Sequence, residues 1–277
     1  MLNRAYAKIN LYLDVLGRFG KYTKIRTVLT EIDLYDELEI EINRSGKLDF
    51  FCDNPILENK ENLVMKVAKQ MKKRWNINLG ASINLKKNIP ISAGLGGGSS
   101  DAATAMLMLK KLWDIRIDKE SLLKFAAIFG CDIPFFLFGG SCIGLKTGTD
   151  IIPIDTIEIK NILVVNPGIE ISSESAYLLV DNYCQTNGWN KFLSSKDIRF
   201  SYNALQIGVE KKYPVIRQIL KDMIDIGAIN SILSGSGSSV IGFFNSYNEL
   251  KKNEKIFKEK GFWTYKTKTK RRNNEYY

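Results

Sequence analysis

Histidine is absent from all 277 residues, and that absence removes whole classes of chemistry. Ser-His-Asp and Cys-His mechanisms need an imidazole as general base. Proton transfer here falls to carboxylates, lysines or tyrosines. Cysteine is scarce too: Cys52, Cys131, Cys142 and Cys184 are widely spaced, with no CxxC pair. With no paired cysteines and no histidine, neither a zinc site of the usual Cys/His kind nor a disulfide scaffold is expected. The expectation is a reducing cytoplasm, where free cysteines act as small buried apolar residues. Met1–Gly20 has no long apolar run of the signal-peptide kind. The uncharged stretch Ile133–Leu145 is too short for a membrane-spanning helix, so no membrane partner is expected.

What is present is an excess of positive charge, +10 at pH 7. Such a balance suits a polyanionic partner, either nucleic acid or a phosphorylated metabolite. Much of the excess lies in Lys251–Arg272, including the run Lys266–Arg272, which reads as a solvated face or tail rather than a nucleic-acid arm. No nucleic-acid partner is expected.

The length allows one large domain or two moderate ones. Near the N-terminus, Tyr6, Lys8, Asn10 and Tyr12 alternate with Ala7, Ile9, Leu11 and Leu13, the period of a half-buried strand. Strands are expected at Thr27–Asp33 and Glu37–Ile42, with Tyr35-Asp36 as a turn between them. Leu63, Val67, Met71 and Trp75 predict a helix over Asn62–Trp75, and Ala81–Leu85 a strand after it. A helix with Ala102, Ala105, Met106, Leu109, Leu112 and Trp113 on one face follows the glycines, and Asp118 and Gly130 punctuate another. The pattern restarts near Pro153–Lys160, which places a boundary between residues 1–155 and 156–277. In the second half, strands are expected at Ile162–Val165, Ile229–Leu233, Val240–Phe244 and Phe262–Tyr265. Helices are expected over Ser173–Tyr183, over Val215–Ile226 with Pro214 at its first turn, and up to Gly261.

The segment from Pro90 through Gly94, Leu95, Gly96, Gly97, Gly98, Ser99 and Ser100 to Asp101 has four glycines in five positions, then hydroxyls, then a helix. Glycines let the backbone approach an anion, and the helix start presents unpaired N–H groups. No lysine follows in Walker fashion, and the sixth residue from Gly94 is Ser99, so neither the Walker nor the dinucleotide fingerprint fits. Ser99 and Ser100 are suited to capping the helix, binding phosphate or helping to hold Mg²⁺. Asp132 lies between Gly130 and the apolar Phe135–Phe138, so it is expected semi-buried, where a carboxylate needs a partner. It is a candidate base for a hydroxyl attacking a γ-phosphate, with Lys8 as the matching cation and Asn10 beside it to orient the lysine or bind substrate. A second loop, Ser234-Gly235-Ser236-Gly237-Ser238-Ser239, joins two apolar strands and offers backbone N–H groups to oxygen ligands.

Together these segments resemble the GHMP kinase superfamily. Its motifs are a Lys-bearing first strand, a Pro-x3-Gly-Leu-Gly-x-Ser-Ser loop and a late glycine-rich loop. Ala7-Lys8-Ile9-Asn10-Leu11, Glu61-Asn62-Leu63-Val64, Gly94–Ala103, Gly130–Phe136 and Leu233–Val240 resemble in order the branch acting on a cytidyl diphosphate-linked methylerythritol. The resemblance implies an α+β, two-domain fold, with a ribosomal protein S5 domain 2-like first half, a ferredoxin-like second half and the active site in the cleft between them. It implies ATP and Mg²⁺ as cofactors, a small alcohol substrate, and transfer of the γ-phosphate to that substrate's 2-hydroxyl in isoprenoid precursor synthesis. Lys8 and Asp132 take the catalytic roles. Asn62, Pro90 and Gly94–Ser100 bind ATP, and Asn10, Tyr22, Thr23, Ser234, Gly235, Ser236 and Gly237 bind substrate. A monomer or homodimer is expected.

Three segments depart from that pattern. The family's Asp-Gly-Tyr-His reads Gly20-Lys21-Tyr22-Thr23, so Tyr22 remains as a stacking platform while Thr23 stands where histidine is expected. Gly148-Thr149 replaces Gly-Glu, and Asn203-Ala204-Leu205-Gln206 replaces Asn-Asp-Leu-Glu. The altered Tyr22-Thr23 segment leaves open a paralogous kinase for another small alcohol, or a nucleotide-binding relative without catalysis.

Overall fold

A computed structural model describes residues 1–19, 22–180 and 188–271, without the side chains of Phe19 and Tyr22. Tyr22 as a stacking platform, Cys184 and Arg272 lie outside the described residues or side chains.

Two long strands, β1 (Leu2–Phe19) and β2 (Tyr22–Asn43), pair antiparallel and organise the first half. Three register shifts interrupt their ladder, between Tyr6 and Lys8, Asn10 and Tyr12, and Val15 and Gly17. Bulges of this kind bend a strand and re-aim its side chains. The free edge of β2 serves two neighbours in turn. Ile25–Thr30 pairs with β5 (Ser141–Lys146), and Glu37–Asn43 pairs with β4 (Gly80–Lys86). β3 (Leu48–Cys52) extends the sheet beyond β4, and β6 (Asp150–Ile154) pairs with β5.

The expected turn at Tyr35-Asp36 is continuous strand. Aspartate disfavours strands, but here β2 lacks a second neighbour and the carboxylate supplies acceptors. Asp36 Oδ1 accepts from the backbone N–H of Asn88 at 2.6 Å and of Ile89 at 2.8 Å. Glu31 does the same for Gly140, at 2.8 Å.

One face of this sheet carries α1 (Leu63–Arg74), α2 (Gly97–Leu112), α3 (Lys119–Ala127) and α4 (Ile133–Phe138) over a core of Leu38, Ile40, Ile83, Met106 and Phe135. Asn62 caps α1 and Asp118 caps α3 through their side-chain oxygens. Apolar Phe135–Phe138 lies in α4, with Pro134 in its first turn.

The second half is built on the order β11-β7-β10-β9, where β7 is Ile162–Asn166, β9 Asn230–Leu233, β10 Val240–Phe243 and β11 Trp263–Thr267. Helices α5 (Ser173–Leu178), α6 (Gly188–Ser195), α7 (Gln206–Lys212), α8 (Pro214–Asp225) and α9 (Tyr247–Glu259) complete it. β7 is buried on both faces. Ile162 and Val164 face the first sheet with Ala7, Ile9, Leu11 and Phe243, while Leu163 and Val165 pack with Ile216, Ile219 and Phe257. A two-residue strand, β8 (Tyr202–Asn203), crosses back to pair parallel with β1 at Tyr12 and Leu13.

The basic run near the end is not a free tail within the described residues. Lys266 lies in β11 and pairs with Glu254 at 2.8 Å, Thr269 bridges Ile32, and Arg271 pairs with Glu158. No described helix is long and apolar enough to cross a membrane.

The core between the two sheets belongs to both halves, so the chain is expected to unfold as one cooperative unit. Phe243→Ala empties part of that shared core and is expected to cost about 3–5 kcal/mol. Urea transitions followed by circular dichroism and by tryptophan fluorescence are expected to remain coincident and to shift together.

Candidate active site

The glycine segment is shaped by contacts with three other pieces of chain. Lys8 N–H donates to the Leu95 carbonyl at 2.9 Å, Ser239 N–H to Ala93 at 3.2 Å, and the Ser234 hydroxyl to Gly94 at 3.0 Å. Gly94 and Gly96 take φ of 75° and 70°, the left-handed region that favours glycine. A Cβ built at Gly94 would lie 1.9 Å from the Ser234 carbonyl oxygen, and one at Gly96 2.8 Å from the Phe136 ring. The two glycine-rich loops can touch only because Gly94 carries no side chain where the Ser234 carbonyl lies.

Helix α2 begins inside the glycine run. Its N-cap is Gly96, with no side-chain cap, and the first helical bond described is Ser100 N–H to Gly96 at 2.9 Å. The N–H groups of Gly97, Gly98 and Ser99 thus head a sixteen-residue helix and face a cleft of about 1160 Å³. Exposed donors at the positive end of a helix form an anion site.

Lys8 emerges from β1 just past the first bulge, on the side opposite the buried Ala7 and Ile9. It is only 4% exposed, not the solvated lysine that base rates favour. Its ammonium donates to Asn10 Oδ1 at 2.7 Å and stands 3.5 Å from the Asp132 carboxylate. Asn10 donates in turn to Thr27 Oγ1 at 2.8 Å, and Thr27 donates to the Tyr12 carbonyl at 2.7 Å. This chain fixes the amide so that its oxygen faces Lys8. Asp132 stands at the entry to α4, and its side chain is 41% exposed. A buried cation therefore meets a carboxylate open to the cleft.

Of the residues expected at the site, Lys8, Asn10, Thr23, Asn62, Pro90, Gly94, Gly96, Gly97, Gly98, Ser99, Asp132, Gly235 and Ser236 line the cleft. Leu95 and Ser100 are buried beneath it, and Ser234 is buried at the loop contact. Gly237 is not part of the cleft lining; a Cβ built on it would lie 2.9 Å from Leu233 and 3.6 Å from Ile171. Cys131 also lines the cleft and is exposed, unlike the buried Cys52 and Cys142.

Sequence reasoning did not find Arg18, Lys87 or Tyr177, which line the cleft as well. Arg18 and Thr23 face each other across the β1–β2 ladder. Burial above all, then the nearby Asp132 and Cys131, raises the pKa of the Tyr177 phenol and keeps it neutral.

Lys87 sits behind Gly97, between two buried carboxylates. Its ammonium pairs with Asp36, and with Asp101 at 2.7 Å. Burial works against the lysine's charge, but the two carboxylates outweigh it and raise its pKa. Asp101 is pushed up to about 8, first by its own burial and also by Asp36, against the pull of Lys87. Its Oδ1 is buried without a hydrogen-bond partner, a position a neutral acid tolerates better than a carboxylate. The trio ties the start of α2 to β2 and to the segment after β4.

Lys87→Met strands Asp36 and Asp101 without their cation and is expected to cost about 3–5 kcal/mol in urea unfolding. Asp101→Asn is expected to be mild at neutral pH. The folded chain holds the Asp101 proton from its ordinary value of 3.8 up to about 8, so its contribution is complete at low pH and is lost as pH rises through that window. Unfolding midpoints measured from pH 5 to 9 are expected to show a shallower decline for the Asn variant.

Known proteins resemble the chain in sequence and in fold. The family model for the GHMP kinases N terminal domain matches residues 62–140, and that for the GHMP kinases C terminal matches residues 193–261. A 4-diphosphocytidyl-2-C-methyl-D-erythritol kinase of Clostridium novyi (strain NT) is 34% identical over 280 residues, covering 97% of this chain and 100% of the relative. One from Thermodesulfovibrio yellowstonii is 36% identical over 274 residues, covering 94% of each. A crystal structure of 4-(cytidine 5'-diphospho)-2C-methyl-D-erythritol kinase superimposes with a TM-score of 0.86 at 26% identity, over 98% of this chain and 100% of that one. The chain belongs to the GHMP kinase family of ATP-dependent small-molecule kinases.

Proposed function

We propose that this chain transfers the γ-phosphate of ATP to the 2-hydroxyl of 4-diphosphocytidyl-2-C-methyl-D-erythritol, in the cytoplasm, as a step of isoprenoid precursor synthesis. The observation that carries the proposal is the Lys8–Asp132 pair, 3.5 Å apart, opening onto the cleft beside the glycine segment. The full-length relatives named above supply the acceptor.

In this reading the N–H groups of Gly97, Gly98 and Ser99 receive the β- and γ-phosphates, whose negative charge suits the helix terminus. Leu57, Asn62, Leu63 and Ile91 line the same cleft and form the nucleoside wall. Asp132 accepts the proton of the attacking hydroxyl. Lys8, held by Asn10, steadies charge on the transferring group. Arg18, Thr23 and Tyr177 form the wall for the acceptor, with the Arg18 guanidinium suited to its diphosphate. Thr23 offers one hydroxyl where the family histidine offers two ring nitrogens.

The kinase family implies Mg²⁺, which Ser99 would help to hold. Among the described residues no group of three or more His, Cys, Asp or Glu side chains could hold a metal, and the cleft offers oxygen donors from Ser99 and Asp132. Mg²⁺ commonly takes one or two protein oxygens and completes its shell with water and substrate phosphates. When bound, it neutralises phosphate charge.

A Cβ at Gly98 would meet nothing closer than Leu63 Cδ1 at 3.9 Å, so the protein itself does not require glycine there. Gly98→Ala is expected to stabilise the fold by about 0.5–1 kcal/mol, as alanine does in a helix, while raising KM for ATP. Thermal unfolding and steady-state kinetics on the same preparation check both.

ADP release with a panel of alcohols tests the acceptor. Activity with the cytidyl compound, and none with mevalonate or homoserine, is expected; the reverse overturns the proposal. Asp132→Asn is expected to lower kcat by about 100- to 10,000-fold. Arg18→Ala is expected to raise KM for the cytidyl compound with kcat little changed, the pattern of lost uniform binding.

A further inference from the structure

The departing segment Asn203–Gln206 has a place in the site that its sequence does not reveal. Asn203 is 2% exposed and lies on β8, whose partner is β1, the strand that carries Lys8 and Asn10. Its amide nitrogen donates to the carbonyls of Leu233 and Gly235, each at 2.7 Å. Its oxygen accepts from Leu205 N–H at 2.9 Å. Both amide hydrogens and one lone pair are thus committed to backbone, an arrangement that sets the path of the second glycine-rich loop.

That loop bears on Lys8 directly. Gly235 has φ of 53°, and a Cβ built on it would lie 3.1 Å from Lys8 Nζ and 3.3 Å from Asn10 Oδ1. The Gly235 backbone therefore lies close against both the ammonium and the Asn10 oxygen that holds it. Gln206 holds the same loop only at its start: its side-chain oxygen accepts from Leu233 N–H at 3.0 Å. Gln206 retains the acceptor oxygen that glutamate would supply. It makes no described bond to Gly235.

We propose that Asn203 is a positioning residue for phosphoryl transfer, acting through the Gly235 backbone to hold the Lys8 ammonium in line with Asp132. The proposal rests on the role given above to Lys8. Anchored to β1 through β8, Asn203 sets the spacing between a loop of the second half and a side chain of the first. Misplacing a charged group by a fraction of an ångström at the reacting centre costs rate rather than ground-state binding.

A double-mutant cycle on the full chain tests this, with kcat and both KM values measured for the unaltered enzyme, Asn203→Ser, Lys8→Ala and the double variant. Serine retains one donor and is the milder change; Gln206→Ala serves as a control that loosens the same loop at Leu233. Asn203→Ser is expected to lower kcat about 10- to 100-fold with KM for ATP changed less than about 3-fold. In the Lys8→Ala background the same change is expected to cost less than about 2-fold, because the group it positions is gone. Gln206→Ala is expected to lower the unfolding midpoint without coupling to Lys8. An undiminished Asn203 effect in the Lys8→Ala background, or equal coupling from Gln206→Ala, overturns the inference and leaves the kinase reading intact. A fully active Lys8→Ala enzyme overturns the inference together with the role of Lys8.

Discussion

Backbone meets backbone at Gly94 and Ser234, and the shape of the cleft depends on that contact. The Ser234 hydroxyl bonds the Gly94 carbonyl at 3.0 Å, while the space that a Gly94 side chain would need is taken by the Ser234 carbonyl. Residues 140 apart in sequence are thereby fixed at one point. Around it gather the head of α2, the Lys8 ammonium and the Gly235 turn. Loops alone would make a loose site; here each is held to a strand of one of the two sheets, which share a packed core.

Charge is distributed around this junction in layers. At the cleft surface stand unpaired helix N–H groups and a half-exposed carboxylate. Just beneath lies Lys8, whose burial would be costly without Asn10 and Asp132. Deeper still, Lys87 holds Asp36 and Asp101 and so fastens α2 to the sheet. In the proposed reaction, an anion at the glycine loop would meet donors already oriented by the fold, which keeps reorganisation small as charge moves.

Local chemistry made much of this legible from sequence. Four glycines in five positions directly ahead of a helix announce an anion site, and a Gly/Ser loop between two apolar runs announces a strand connection. Lys8 stood out only beside that glycine loop, and Asp132 by its place between a helix-ending glycine and an apolar stretch. The rest depends on distant pairings. Asp36 and Lys87 are 51 residues apart, and the aspartate's strand position looked like a turn because only the fold shows which N–H groups it must satisfy. Asn203 bonds Gly235 across 32 residues from a strand too short to leave a period. β5 and β6 also escaped notice: Ser-Cys-Ile-Gly-Leu-Lys has weak alternation, and β6 carries Pro153, which edge strands tolerate.

The central claim is that the Lys8–Asp132 cleft directs ATP's γ-phosphate onto one hydroxyl of a cytidyl diphosphate-linked alcohol. The most direct measurement is ³¹P and ¹³C NMR of the product formed from ATP and 4-diphosphocytidyl-2-C-methyl-D-erythritol. One new phosphomonoester is expected, coupled to carbon 2 of the methylerythritol unit, in equal amount to the ADP released. ADP without a phosphorylated alcohol, or phosphate on another hydroxyl, would contradict it.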